Sequence, residues 1–417
     1  MKMGRIAGLL LAGAMVLAGF LAGCGDFWQA PNSTTTTTTT TSTCTAAGTP
    51  TTTTTASSLS SGNFYVVSNI TATTFQVAGY SMVSGALTQF TYAPAVQGQA
   101  YALAIDPAAG SYLFVSSTNG IYLYDIDSST GVLTLQNNST VVVQDVGAYA
   151  IQVVSTAGGE WLLDATNATS GQPYLFAYPI VDTTTHIPTS TNSTSVKLVA
   201  GGSVSLGGMA VSADNSLIAV AEGSGGTQLF TFTASNTGST SPFGSTDYTV
   251  ALKGSSALSV AFSPQTTFLY IGESSVFTCS TNSGGLRMIP ISADVPGTEP
   301  TTSPYPSGGT GPHAILASTN GYVYVANWQG ASTGNITPFL VASGPALTVQ
   351  SETVATGTEP VGIIEESKSN FELAVSNSAG TPFDAYTFDA ATAGQLDTLP
   401  APATTIGSGP AAIVAVP

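Results

Sequence analysis

Charge is the scarcest property of this 417-residue chain: 22 acidic and 6 basic side chains make up 7% of it and leave a formal net charge of −16. An ordinary soluble domain carries about 25% charged residues. Six basic residues cannot lay down the Lys/Arg footprint that displaces counterions from phosphates, which excludes a nucleic-acid partner. A long coiled coil is excluded too, because its flanking positions need charges. Nor is this a charge-expanded disordered chain, since 43% of it is hydrophobic and can build a core. Two histidines and three cysteines leave little for a His-centred catalytic site or a thiolate metal site. Ser-His-Asp order, a Gly-rich nucleotide loop and zinc-ligand spacing are all missing, so no metal and no cofactor is expected. What is plentiful is Gly (45) and Pro (23), with many Ser and Thr, the composition of a turn-rich chain with a neutral-polar surface.

Lys2 and Arg5 precede an apolar run from Ile6 to Phe20, the layout of a secretory signal peptide rather than a membrane span. The run ends in Leu21-Ala22-Gly23-Cys24, which resembles the lipobox of bacterial lipoproteins. That resemblance implies cleavage before Cys24 and acylation of its sulfur and new amino group. Residues 1–23 are then a signal peptide, and lipid alone holds the mature protein to a membrane on its extracytoplasmic side. Residues 24–60, with Thr runs at Thr34–Thr41 and Thr51–Thr55, have no apolar period and read as a flexible tether. Once Cys24 carries lipid, Cys44 and Cys279 remain. In an oxidising compartment they either pair as a disulfide or stay as two thiols.

From Ser61 to Pro417 the chain reads as short strands, and one phrase recurs along it. It appears as Tyr101-Ala-Leu-Ala-Ile-Asp-Pro107, Tyr149-Ala-Ile-Gln-Val-Val-Ser155 and Gly207-Gly-Met-Ala-Val-Ser-Ala213. It returns at Leu258, His313, Val361 and Ala411, with spacings of 48, 58, 51, 55, 48 and 50 residues. Second strands such as Tyr112–Val115, Leu217–Val220, Phe268–Ile271 and Tyr322–Val325 follow most of them. Four strands per repeat of about 50 residues is the period of a propeller blade. The seventh phrase ends the chain without partners, while Asn63–Val67 and Thr74–Tyr80 stand at the other end without an innermost strand. The expected fold is therefore all-β: a seven-bladed propeller over 61–417, four antiparallel strands per blade, closed by the C-terminal strand joining the N-terminal blade. A single closed ring is expected to be a monomer.

Tyr322-Val-Tyr-Val-Ala-Asn327 and the turn Tyr124-Asp-Ile-Asp-Ser-Ser-Thr-Gly-Val-Leu-Thr134 resemble the YVTN-repeat and lactonase-type seven-bladed propellers. Weaker copies of the turn stand at Tyr386–Gly394 and Phe230–Gly238. Gly311-Pro312-His313 and the strand after it resemble a segment of the phosphogluconolactonase-like members. This resemblance implies a base, His313 or Glu273, that activates water against a lactone, with Arg287 facing the oxyanion. Two departures stand against it: Ala314 follows His313 where an Arg is expected, and Trp328 follows Asn327 where a Glu is expected.

In a propeller, the segments entering the innermost strands and the ends of the second strands share one face. The first group is Gln99, Tyr149, His313, Glu359 and Pro410; the second is Glu222, Glu273, Asn327, Trp328 and Asn377, with Arg287 at the rim. Glu222, Asn327, Trp328, Glu359 and Asn377 are thus candidate ligand contacts, and His313, Glu273 and Arg287 candidate catalytic residues. Each has a plainer role: a structural hydrogen bond for His313, solvated turns for the glutamates, neutralisation of a neighbouring acid for Arg287, and packing between blades for Trp328 and Trp161. Asp125-x-Asp127-x-Ser129 has alternating oxygens but a displaced glycine, Gly131, and reads as a hairpin turn rather than a calcium loop. The preferred function is a binding scaffold for a protein, glycan or cell-envelope ligand; a lactone hydrolase outside the cytoplasm is the alternative.

Overall fold

Alternating β-branched and aromatic residues, broken every few positions by Gly, Asn, Asp or Pro, form strands along the whole folded region. The computed structural model describes residues 62–417 apart from 84–85, 157, 168–171, 191–192, 199–205, 234–240, 279–281, 331, 343, 351–352, 367–371, 380–382 and 401–408. The signal peptide, the tether, Cys24, Cys44 and Cys279 therefore lie outside the described residues.

Among the described residues the strands form seven antiparallel sheets and no α-helix. No helix there is long and apolar enough to cross a membrane. Sheet 1 runs Pro410–Ala415, Gly62–Thr71, Thr74–Val83, Ala86–Tyr92, and sheet 2 runs Ala100–Ile105, Tyr112–Ser117, Gly120–Ile126, Leu133–Leu135. Sheet 3 is Ala148–Thr156, Gly159–Asn167, Pro173–Ile180, Thr194–Lys197, and sheet 4 is Met209–Val211, Leu217–Ala221, Thr227–Phe232, Phe243–Val250. Sheet 5 is Ser256–Phe262, Phe268–Ser274, Gly285–Ser292, Val295–Pro296, with Tyr305–Pro306 added beside its third strand. Sheet 6 is Gly311–Ala317, Tyr322–Gln329, Ser332–Val341, Leu347–Val349, and sheet 7 is Thr358–Glu366, Glu372–Ala379, Phe383–Phe388, Leu396–Thr398. Strands within a sheet follow one another in sequence except in sheet 1. There the C-terminal strand pairs with the first, from Phe64↔Ala415 to Ser68↔Pro410.

Every residue of Tyr112–Ser117 and of Leu217–Ala221 is buried, because these middle strands are covered on both faces by neighbouring sheets. The apolar clusters accordingly lie between sheets. One joins sheets 3 and 4, where Trp161, 1% exposed, meets Phe232 edge-on at 6.3 Å. Another joins sheets 7 and 1 through Phe64 and Phe383 at 5.2 Å. Facing sheets that bury one core between each neighbouring pair make an all-β propeller.

The turn over Tyr124–Thr134 is the hairpin that its sequence predicts. Asp127 Oδ1 accepts the backbone N–H of Ser129 at 3.0 Å and of Thr130 at 2.8 Å, plus both hydroxyls. Gly131 takes φ +69°, a region that L side chains avoid. The hydrogen bonds from Ser129 and Thr130 pull the Asp127 carboxyl down to about 2. A group lowered on folding stabilises the fold above its unfolded value of about 3.9 and loses that contribution as pH falls through the folded value. NMR titration is expected to find Asp127 half-protonated near pH 2, and Ser129→Ala to move it back toward the ordinary range.

Candidate functional site

Six sheets carry a one-residue bulge at one place, where the chain enters the first strand. The extra residue is Ala411 in sheet 1, Tyr101 in sheet 2, Tyr149 in sheet 3, Leu258 in sheet 5, His313 in sheet 6 and Val361 in sheet 7. In sheet 4, Gly207 N donates to Ala221 O at 2.8 Å and Ala221 N to Gly208 O at 2.9 Å, which puts Gly207 in the corresponding position. A bulge leaves one residue outside the ladder and re-aims its side chain. These residues open the seven recurring phrases, so the repeat seen in the sequence is the bulge itself. The strands that carry them contact one another in succession and lie nearest the propeller axis.

The second strand sets a polar residue opposite each bulge. Ser68, Ser117, Thr166, Glu273, Asn327 and Asn377 pair with Pro410, Ala100, Ala148, Ala257, Pro312 and Pro360, and Glu222 follows Ala221 in sheet 4. Ser68, Ser117, Thr166, Glu222, Glu273 and Asn327 are all at most 1% exposed. The side chain of Asn377 lies outside the described residues. Several of these groups hold the segment entering their own sheet. Glu273 Oε2 accepts the N–H of Lys253 at 2.8 Å and of Gly254 at 2.7 Å. Asn327 Nδ2 donates to Ser307 O at 2.7 Å and to Asn335 Oδ1 at 3.0 Å. Gly272, beside Glu273, must lack a Cβ, which would stand 2.8 Å from Pro312 O in sheet 6.

Glu273 and Arg287 do come together, as a buried ion pair of 2.6 Å. The Arg287 Nη1 also donates to Ala251 O at 2.7 Å, while Nη2 and Nε reach Glu299 at 2.7 and 3.2 Å. Four of the five guanidinium N–H groups are thereby used. Ser303 Oγ donates to Glu299 at 2.6 Å, and Lys253 Nζ lies 3.1 Å from it. Burial opposes the charge on Arg287, but the hydrogen bonds to Glu299 and Glu273 outweigh it and raise its proton affinity. Burial likewise raises Glu299, yet the bonds from Arg287 and Ser303 hold it below the usual carboxylate range. Both proposed catalytic groups of this pair are committed to each other and to the backbone.

His313 is half-buried and meets Trp328 edge-on at 5.6 Å. Burial lowers its proton affinity, partly offset by Glu359, so the imidazole is neutral at pH 7. Glu359 itself is exposed, with φ +56°. Trp328 Nε1 donates to Gly330 O. On the far side of the first-strand ring, the Tyr101 and Tyr149 rings of adjacent bulges lie 4.8 Å apart, tilted by 33°, with Tyr149 39% exposed. Glu299, Ser303 and the Tyr101 partner of Tyr149 were not singled out by the sequence. Glu299 has no motif around it, whereas Tyr101 stands at the head of a recurring phrase and was findable there.

No protein-family model matches the chain, and no curated protein matches it. Among solved structures it is similar to a proposed 6-phosphogluconolactonase from Bacteroides fragilis, at TM-score 0.64 and 14% identity over 86% of this chain and 98% of that one. A proposed 6-phosphogluconolactonase from Bacteroides uniformis gives TM-score 0.60 and 13% identity over 85% and 99%. Sqt1 from Chaetomium thermophilum, bound to the N-terminus of a ribosomal protein, gives TM-score 0.50 and 12% identity over 80% and 86%. At these identities the likeness establishes the fold, an all-β propeller.

Removing one member of a buried ion pair strands the other charge. Glu273→Gln and Arg287→Met are each expected to lower stability by about 3–5 kcal/mol in urea unfolding, and the double variant by less than the two summed.

Proposed function

We propose that this chain is a lipid-anchored extracytoplasmic propeller of seven blades that presents the bulge-lined end of its axis to a protein partner. Seven sheets, an apolar cluster between each neighbouring pair, and the pairing of Pro410–Ala415 with Gly62–Thr71 support the seven-bladed, terminally closed form. The lipobox-like Leu21–Cys24 supports the anchor.

One observation carries the binding reading: the bulges set a tilted Tyr101–Tyr149 ring pair at the axis, with Tyr149 facing solvent, while Glu273 and Arg287 beneath are consumed by the fold. Exposed tyrosines bring large contact area at low entropy cost and are frequent anchors of protein contacts. A propeller of similar fold, Sqt1, holds a protein N-terminus. The second reading, a lactone hydrolase, draws on the two similar Bacteroides structures and on His313, which is neutral and so able to take a proton. Against it stands Arg287, the cation expected to face the oxyanion, which is bound to Glu273 and Glu299.

Ligands selected from a displayed peptide library on the purified protein are expected to bind at least about tenfold more weakly to Tyr149→Ala, a loss of about 1.4 kcal/mol. Lactones, 6-phosphogluconolactone included, are expected to hydrolyse no faster with the protein than without it. Turnover that disappears in His313→Ala would put the hydrolase in place of the scaffold. Cys24→Ala is expected to move the chain from the membrane to the soluble fraction, read by fractionation.

A further inference from the structure

The boundary of sheets 2 and 3 holds an acidic pair that no base among the described residues neutralises. Asp164, in the second strand of sheet 3, is 0% exposed, and neither of its oxygens meets a hydrogen-bond donor at ordinary distance. Side chains alternate along a strand, so Asp164 faces the same way as Leu162 and Thr166. Leu162 belongs to the apolar cluster that sheet 3 shares with sheet 2, and Tyr178 of the next strand belongs to it as well. Asp145 reaches this place from the segment entering sheet 3. Its Oδ1 accepts the Thr166 hydroxyl at 3.3 Å, and its carboxyl comes within reach of Asp164 and Tyr178. Oxygen-bearing side chains from three stretches of chain thus converge where two sheets meet.

Two carboxylates this close in apolar surroundings cannot both stay charged without a counter-charge. None of the groups acting on either is a lysine, arginine or histidine. What offsets the pair is then a shared proton or a cation taken from solution. Two carboxylates, a hydroxyl and a phenol are all oxygen donors, the set that hard divalent cations select, with water filling the remaining positions. Asp145 is half-buried between the exposed Gln144 and Val146, so the cluster is open to solvent on one side.

We propose that Asp145, Asp164, Thr166 and Tyr178 form a site for a hard divalent cation, which clamps the segment entering sheet 3 onto the boundary with sheet 2. The cation supplies the charge that the chain's few bases do not, and fastens the segment that leads into the Tyr149 bulge.

The test uses the full chain stripped with chelator, then given Ca2+ or Mg2+ singly. The melting temperature is expected to rise with cation concentration, and calorimetric titration to find a single saturable site. Asp164→Asn keeps the shape of a protonated acid, so it folds, and it is expected to lose the response; Thr166→Val is expected to weaken binding with no change of charge. Asp127→Asn, on a separate hairpin, is expected to keep the full response. A native protein indifferent to both cations would mean that a shared proton neutralises the pair, and would overturn the proposal. So would a response that survives in Asp164→Asn.

Discussion

The one-residue bulge at the entrance to each first strand is the constraint on which the rest of this structure depends. It ejects one side chain from the ladder, and the segment that leads into it runs outside the strand with backbone groups of its own. The side chain becomes available at the axis, as with Tyr101, Tyr149 and His313. The backbone groups must be satisfied by something buried, and the second strand supplies it: Glu273 for the N–H groups of Lys253 and Gly254, Asn327 for the carbonyl of Ser307. Residues that look functional by type are therefore partly the fittings of the fold.

Scarcity of positive charge explains how the acids are treated. Only Lys197, Lys253, Arg287 and Lys368 follow Cys24 in the sequence. Glu273 and Glu299 share Arg287, and Lys253 adds to Glu299. Asp106 and Asp127 instead accept N–H and O–H groups of their own turns, including Ala108 N to Asp106 at 2.8 Å. Hydrogen bonds to a carboxylate serve where a counter-ion is missing. Asp145 and Asp164 stand apart, because Asp164 is fully buried and no base among the described residues acts on either.

Much of the architecture was legible because a propeller repeats. Phrases recurring at near-equal spacing announced an all-β propeller. The Asp127 turn was legible as well, since Asp followed by Ser, Thr and Gly is a local code that needs no distant partner. The site was less so. Position in a strand located Glu222, Glu273 and Asn327 at the end of the second strand, but not their depth beneath the bulge. Glu299 entered the ion network from a segment without any pattern, and Asp145 meets Asp164 across nineteen positions of unrelated sequence.

By itself, the sequence determined what local chemistry and repetition control: strands, turns, the period of about fifty residues, and the poverty of cations. Tertiary structure decided what each polar residue is for. A carboxylate becomes a counter-ion, a turn cap or an unsatisfied buried acid according to its depth and neighbours. Those are set by sheets packing face to face, through contacts between residues far apart in the chain. Arg287 makes the point: alone in the folded region as an arginine, it read as a candidate for catalysis or for neutralisation, and only the arrival of Glu273, Glu299 and Ala251 O around its guanidinium fixed the second use.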